Sequence, residues 1–424
     1  MPSPNLHVAV IGAGATGLLL AQGLKKANVR VSVFETLPRQ TYEDNPRTWT
    51  MALHWSRRNV EQCLPPELFA ALSSAHTNPW HEPSHDEAQS LPVVDGKTGE
   101  VLVAAKVDDG RRVVRRKLRD LSRRGIDVRF GYKLAGVDTS GEGVTATFEN
   151  GEVLCVDVLV GADGAKSIVR DHLVDGDAKD LDRVPLISTN IGCRYTAEQA
   201  RFLRSKIHPI ANMAVHPDQD TLFFLAVADV PNPEDPETWE FQVALSLWSN
   251  EDPPETNEDR MQYFKKLAEP YCEPYRSAAL WVPDDTYIPR DKVCYAEWRR
   301  IAPWKNFGGR VTVAGDAART PYVLVSANFK PEDKFAGSNR ENTPVRGQDL
   351  NNALQDAGNL VKAITAVKEG RQTLAAAIDE YDAEVYQRGK REIEISEESM
   401  FGLHHYSAIK GSPIDRMGLK EQKA

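Results

Sequence analysis

The stretch that decides the fold is Val8 to Glu35, VAVIGAGATGLLLAQGLKKANVRVSVFE. Four consecutive apolar residues, Val8 to Ile11, run straight into glycine, the pattern of a strand buried on both faces of a parallel sheet. Leu18, Leu19, Leu20, Ala21 and Leu24 supply the apolar side of a helix. Val29, Val31, Val33 and Phe34 form a second strand, so the chain opens with a βαβ unit. GAGATG, Gly12 to Gly17, sits at the strand-to-helix joint. There Gly12 permits the tight turn, Gly14 lets a pyrophosphate approach the backbone, and Gly17 allows helix and strand to pack closely. The helix N-terminus adds free N–H groups and partial positive charge. Glu35 closes the second strand eighteen residues after Gly17, where a carboxylate can hold a ribose diol. A glycine-rich turn alone is common; with strand, helix and acid in place, it is a dinucleotide site.

Composition narrows the function classes. A chain of 424 residues with 41% hydrophobic and 27% charged side chains has room for two or three domains with a packed core. Lys and Arg total 52 against 61 Asp and Glu, a net charge of −9, which argues against nucleic-acid binding. Neither a transmembrane run nor a signal-like start is present, so a soluble, unexported, cytoplasmic protein is expected, with no membrane partner. Five dispersed cysteines without a CxxC favour reduced thiols over a disulfide framework, and no metal site is expected.

Further along, Leu91 to Val103 reads as a hairpin, and Val114, Leu118 and Leu121 mark one face of a helix ended by Gly125. Strands are expected near Val128 and Val144 and over Val153–Val160. Runs at Leu186–Arg194, Asn212–His216, Thr221–Val227 and Glu240–Trp248, joined by acidic, proline-rich connectors, suggest an antiparallel sheet. Val311–Ala314 reads as a buried strand, helices follow from about Gln348, and roughly the last fifteen residues read as a polar, frayed tail. Two more strand-to-turn motifs stand out: GADGAKSIVR, Gly161 to Arg170, directly after VDVLV, and VAGDAA, Val313 to Ala318.

The ordered set GxGxxG, GADGxxSxVR and GDAA resembles the class A FAD-dependent monooxygenases of the p-hydroxybenzoate hydroxylase type, and fungal secondary-metabolite hydroxylases and epoxidases are similar. The resemblance spans roughly residues 6 to 395. It implies an α/β fold: a Rossmann-type FAD-binding domain with an inserted, mainly antiparallel substrate sheet and C-terminal helices. The FAD domain would comprise residues 1–84, 104–175 and 291–372, the substrate domain 85–103 and 176–290, and the helical end with its frayed tail 373–424. It also implies non-covalent FAD, with NADPH or NADH as co-substrate. Oxygen would form a flavin C4a-hydroperoxide that hydroxylates or epoxidises an electron-rich aromatic or unsaturated small molecule.

Carried onto this sequence, the resemblance assigns Gly12, Gly14, Thr16, Gly17 and Glu35 to the ADP half of FAD. Arg115, opening RRKL, matches the family's RxxL arginine, and Asp163 serves both FAD and nicotinamide. Gly315 and Asp316 would hold the ribityl chain, and Gly347 and Leu350 would place backbone near the isoalloxazine ring. Helical spacing from Leu350 to Ile364 agrees, since that helix N-terminus could stabilise an anionic reduced flavin. Two departures from the family pattern occur. A Thr320–Thr343 insertion is a lid, a surface excursion or a disordered loop, and Asp349 replaces the usual glycine, either capping the helix or opposing flavin charge.

On the substrate side, Arg194 in IGCRY either orients an oxyanion or makes an ordinary ion pair. His54 in WTMALHW is either a base of suitable pKa or a packed, hydrogen-bonded histidine. Trp49 and Trp55 stack on a ligand or fill the core, and His404-His405 read as surface or packing residues. The basic run Arg111–Arg124 reads mostly as a solvated helical face, with only Arg115 assigned to the cofactor. The rival readings are an FAD-dependent reductase or oxidase on the same fold, and a non-catalytic flavin-binding partner protein. A halogenase is disfavoured because WxWxIP is absent.

Overall fold

His7–Ile11 and Arg30–Glu35 pair as parallel strands connected by the helix Ala15–Lys26, so the opening βαβ unit forms as the sequence specifies. The computed structural model describes residues 6–44, 49–174, 184–290, 304–318 and 347–421, together with the backbone of 291–295 and 322–326. The βαβ unit lies within a five-stranded parallel sheet ordered Val311–Val313, Val158–Gly161, His7–Ile11, Arg30–Glu35, Val128–Phe130. Ile11 lies beside Gly161, and Gly161 beside Val313, so these three neighbouring strands end level. Each runs into one of the three motifs, which puts residues about 300 positions apart on one sheet edge, where open α/β sheets bind ligands. Leu18, Leu19, Leu20 and Leu24 of the first helix and Leu354, Ala357, Leu360 and Ile364 of the helix Asp349–Lys368 share one core. Each fully buried leucine contributes roughly 1.5–3 kcal/mol.

The single strand expected over Val153–Val160 is two. Val153–Val156 joins Val144–Phe148 and Leu134–Asp138 in a small antiparallel sheet, while Val158–Gly161 enters the parallel one. Asp157 makes the break: its N–H donates to the His7 carbonyl (3.1 Å), and its Oδ2 accepts from the His7 N–H (2.7 Å).

A six-stranded sheet runs in the order Leu186–Arg194, Glu240–Trp248, Thr221–Asp229, Asn212–Val215, Ser90–Asp95, Val101–Lys106. Only the Asn212–Val215/Ser90–Asp95 pair is parallel. The last strand shows that the boundary expected after residue 103 falls inside an element. Strand alternation gives the sheet two different faces. Ile191, Cys193, Phe223, Phe241, Val243 and Leu245 pack with the buried side of the helices Ala197–Lys206, Asn257–Ala268 and Tyr275–Leu280. Asn190, Phe224, Gln242 and Ser246 occupy the alternate positions and meet the rest of the chain.

Between the two large sheets lies a ribbon, Thr50–Leu53 paired antiparallel with Arg111–Val114. Arg111 and Arg112 are therefore strand residues and not part of a solvated helical face, because the helix starts only at Arg115. The helix Leu374–His404 ties the halves together, burying Ile378, Tyr381 and Val385 in one core and Met400 and Leu403 in another. The tail is packed rather than frayed. Ile409, Ile414 and Leu419 are buried, and the Leu419 N–H donates to the Lys106 carbonyl (2.7 Å). Three apolar residues spaced five apart satisfy no helix or strand period, so their burial left no pattern to read. Part of the Thr320–Thr343 insertion is also ordered, since Tyr322–Ser326 pairs antiparallel with Asp291–Tyr295; 319–321 and 327–346 lie outside the described residues. Among the described residues no helix is long and apolar enough to cross a membrane, and no group of three metal-ligating side chains occurs.

Candidate active site

Two glycines of the first motif answer to different constraints. Gly12 has φ +104°, its N–H donates to the Phe34 carbonyl (2.7 Å), and a Cβ there would collide with the Ala162 carbonyl of the second motif. Gly14 is different: with φ −78° and ψ −175° any residue fits its backbone, and no atom of the chain lies within 4 Å of the position its Cβ would take. Gly14 is also the N-cap of the first helix, which has no side-chain cap and no acid in its first turn. Packing accounts for Gly12, and for Gly17 against the Gly12 carbonyl and Val10, whereas no contact of the chain accounts for Gly14.

The other motifs close around this loop. A Cβ on Gly315 would lie 2.5 Å from Thr16 Oγ1, which places the GDAA turn against the start of the first helix. The Gly315 N–H donates to Asp356 Oδ2 (2.8 Å), and Arg388 in turn donates to Asp356 Oδ1 (2.6 Å) and Asn352 Oδ1 (2.9 Å), so a buried ion pair sets that turn. Asp316 lies half-buried in the turn Gly315–Ala317. Glu35 is fixed at its strand end, with Oε2 accepting from the Ala13 N–H and Oε1 from the Leu37 N–H, each at 3.0 Å. Asp163 accepts from the Ile168 N–H through Oδ2 (2.9 Å), while its buried Oδ1 has no partner among the described residues. Burial raises the Asp163 pKa against the opposing hydrogen bonds from Ser167 and the backbone. A spare buried acceptor beside Gly12 and Ala162 suits a cofactor hydroxyl.

Arg115 begins the helix Arg115–Arg123, with its N–H on the Trp49 carbonyl (3.2 Å) and its guanidinium 5.0 Å from the Trp49 ring centroid. Gly347, at φ +59°, lies against Ala52, where its Cβ would be 3.3 Å from that of Ala52. Gln348 stands at the N-cap position of the helix that follows without a side-chain cap, and Asp349 is the first helical residue, so Asp349 does not occupy the cap position. Gln348 accepts from Trp55 Nε1 (2.9 Å), which makes Trp55 a packing residue. Leu350 is buried in the core, leaving only its backbone to face a ligand. Asn351, which no local pattern singled out, clamps the 52–56 segment. Its Oδ1 accepts from the His54 N–H and Ser56 Oγ (2.8 Å each), and its Nδ2 donates to the Ala52 carbonyl (3.1 Å).

The two substrate-side candidates differ sharply. His54 is fully buried, and neither ring nitrogen has a partner among the described residues. Burial, with Arg112 adding to it, pulls its pKa down to about 4. The ordinary imidazole pKa that recommended His54 as a base is therefore gone, and at neutral pH it is a neutral ring with one donor and one acceptor. Arg194 ends its strand opposite Glu240 and forms an ion pair with it (Nη2–Oε1 2.5 Å), its side chain 59% exposed. His404 is buried, with its Nε2 bonded to Ser246 Oγ (2.7 Å), while His405 stacks on Phe401.

A polar seam joins the ribbon to the six-stranded sheet. Arg112 Nε donates to Thr50 Oγ1 (2.5 Å) and Nη2 to Gln242 Oε1 (3.0 Å). Thr50 Oγ1 also donates to Gln242 Oε1 (2.6 Å), and Gln242 Nε2 to Asn190 Oδ1 (3.1 Å). The Arg112 guanidinium stands 4.7 Å from the Phe224 ring centroid. Only the alternation of Arg111 and Arg112 on a short strand could have announced this seam.

Gly-rich loop, Glu35 carboxylate and converging strand ends form the strand–turn–helix arrangement of a Rossmann-like α/β domain. Residues 10–56 match the NAD(P)-binding Rossmann-like domain family. Over 424 residues the chain is 36% identical to the FAD-dependent monooxygenase phnB of Penicillium herquei, covering 99% of this chain and 96% of that one. It is 30% identical over 420 residues to the FAD-dependent monooxygenase cctM of Talaromyces islandicus, covering 99% and 98%. The chain belongs to the FAD-dependent monooxygenases. Its fold is shared with an FAD-containing monooxygenase structure from Photorhabdus luminescens (TM-score 0.68, 18% identity, 96% of this chain and all of that one). It is likewise shared with Klebsiella pneumoniae HpxO complexed with FAD and uric acid (0.67, 16%, 94% and 89%).

Proposed function

We propose that the chain holds FAD non-covalently at the three loops, takes reducing equivalents from NADPH or NADH, and uses O2 to hydroxylate or epoxidise an electron-rich aromatic or unsaturated small molecule. Fungal secondary metabolism and a cytoplasmic setting suit the relatives and the dispersed thiols. The observation that carries the reading is Gly14, a residue with an open Cβ position at an uncapped helix N-terminus. Gly12, Thr16 and Gly17 would shape the loop for the pyrophosphate, Glu35 would take the adenosine ribose, and Arg115, Asp163, Gly315 and Asp316 would hold the remainder. Gly347 and the Leu350 backbone would lie at the ring edge. When bound, the flavin accepts hydride from the nicotinamide and delivers one oxygen atom of O2 to the substrate.

The chain's own part is orientation and exclusion of water. The N-terminus of the helix Asp349–Lys368 would place positive potential toward the reduced ring. His54 would act as a neutral hydrogen-bonding group beside the reacting ring. Arg194 would reach substrate only after releasing Glu240. The test is nicotinamide oxidation under 18O2 with a panel of electron-rich hydroxyarenes, followed by mass spectrometry of the products. The reading predicts one 18O atom per product molecule. Hydrogen peroxide alone, with no labelled product from any panel member, would support the oxidase alternative instead.

A further inference from the structure

Arg112 is a partly buried charged side chain. Among the described residues no carboxylate pairs with it, and desolvation pulls its pKa down to about 9. Three of its five N–H donors are used, on Thr50 Oγ1, the Thr50 carbonyl and Gln242 Oε1. Both N–H groups of Nη1 make no hydrogen bond among the described residues. Desolvating a guanidinium without an anion is costly, and a neutral side chain would join the ribbon to the sheet at less expense.

Its position is as informative as its charge. Arg112 is paired across the ribbon with Ala52, so the two side chains share a face, and Ala52 is the residue that touches Gly347. On its other side the guanidinium meets Phe224 and Gln242 from the six-stranded sheet, and its charge is felt by His54. Arg112 thus stands between the segment assigned to the flavin edge and the sheet assigned to substrate.

Resting on the proposed function, we infer that Arg112 is the substrate-anchoring residue of this site. Its Nη1 donors take an oxyanion, phenolate or carboxylate, carried by a planar aromatic ring lying near Phe224. The two Nη1 N–H groups lie in the fixed guanidinium plane and diverge, so each can donate to an oxygen of such an anion, and the lack of a countercharge among the described residues makes the site select anions over neutral analogues. A bound phenolate would also be more electron-rich than its phenol, which favours oxygen transfer to the ring.

Equilibrium binding without nicotinamide tests this separately from turnover. The FAD-loaded protein is titrated with benzoate, 2-naphthoate and 1-naphthol at a pH that ionises it, each beside its neutral amide or methyl ether. The wild type should favour at least one anion over its neutral partner by roughly 10- to 100-fold, the span of a hydrogen-bonded charge. R112Q should abolish the difference while leaving affinity for the neutral compounds and FAD unchanged. R112K, which keeps the charge but loses the fork, should retain a reduced preference, and serves if R112Q does not fold. A wild type that favours no anion, or a preference that survives in R112Q or is undiminished in R112K, overturns the assignment. Failure of 18O incorporation with anion selectivity intact would instead overturn the proposed reaction and leave Arg112 as an anion site.

Discussion

Replacing Gly14 by serine should separate the demands of the ligand from those of the fold. The backbone at Gly14 is extended, and no chain atom approaches its Cβ position within 4 Å, so serine adds neither strain nor a clash. Serine is also a good N-cap, worth at most a few tenths of a kcal/mol over glycine. Flavin-free G14S should therefore unfold at or slightly above the wild-type temperature. Its side chain, however, would stand where a pyrophosphate must reach the helix N-terminus, and FAD affinity should fall roughly 10- to 100-fold, about 1.4–2.8 kcal/mol. Gly12→Ala is the control with the opposite signature. A φ of +104° costs an alanine about 1–3 kcal/mol, and the collision with the Ala162 carbonyl about 1–3 more, so the flavin-free protein should lose about 2–6 kcal/mol. Thermal unfolding of the stripped proteins and quenching of flavin fluorescence on titration measure the two effects. G14S that is as destabilised as G12A, or that binds FAD like the wild type, would refute the reasoning.

Three further outcomes follow from the described contacts. Arg388→Ala removes the buried guanidinium that Asp356 holds behind Gly315, so stability should drop by about 3–5 kcal/mol and FAD affinity with it; urea unfolding that shows a loss below about 1 kcal/mol contradicts the pair's importance. Burial pushes Asp382 up to about 7 despite hydrogen bonds from Thr312 and Asn306. The folded state keeps a proton that the unfolded state releases near pH 4, so wild-type stability from this group declines as pH rises toward 7 and is level above it. Asp382→Asn cannot titrate, and its stability relative to the wild type should improve with pH, by up to about 1.4 kcal/mol per unit across that window; a pH-independent offset between the two denaturation series would exclude the shift. Ile414→Ala should cost about 2–4 kcal/mol because the tail is part of the core, whereas a frayed tail would give no change in thermal unfolding.

The parts of this protein that the sequence revealed are those with local period and punctuation. Val8–Ile11 ending in glycine, a leucine-faced helix and Glu35 at the correct distance specify one βαβ unit with little freedom. The apolar run Thr221–Val227 and the alternation in Glu240–Trp248 specify a sheet in the same way. What escaped was set by contacts across the chain. The Val153–Val160 run is apolar nearly throughout, yet Asp157 is captured by His7, 150 residues away, and the run divides between two sheets. Arg111 and Arg112 precede a strongly basic helix and read with it, although the ribbon pairing with Thr50–Leu53 makes them strand. Asn351 and Gln348 act on residues 293 to 299 positions earlier, a relation no spacing encodes. His54 shows the same limit in electrostatic form: residue type suggested an ordinary imidazole, and burial beside Arg112 lowers its pKa to about 4.

The flavin content of the purified chain tests the central claim most directly. Protein purified with FAD supplied during dialysis, then denatured by heat, should release FAD into the supernatant at close to one molecule per chain, without covalent attachment. A colourless protein that takes up no FAD under those conditions would contradict the account.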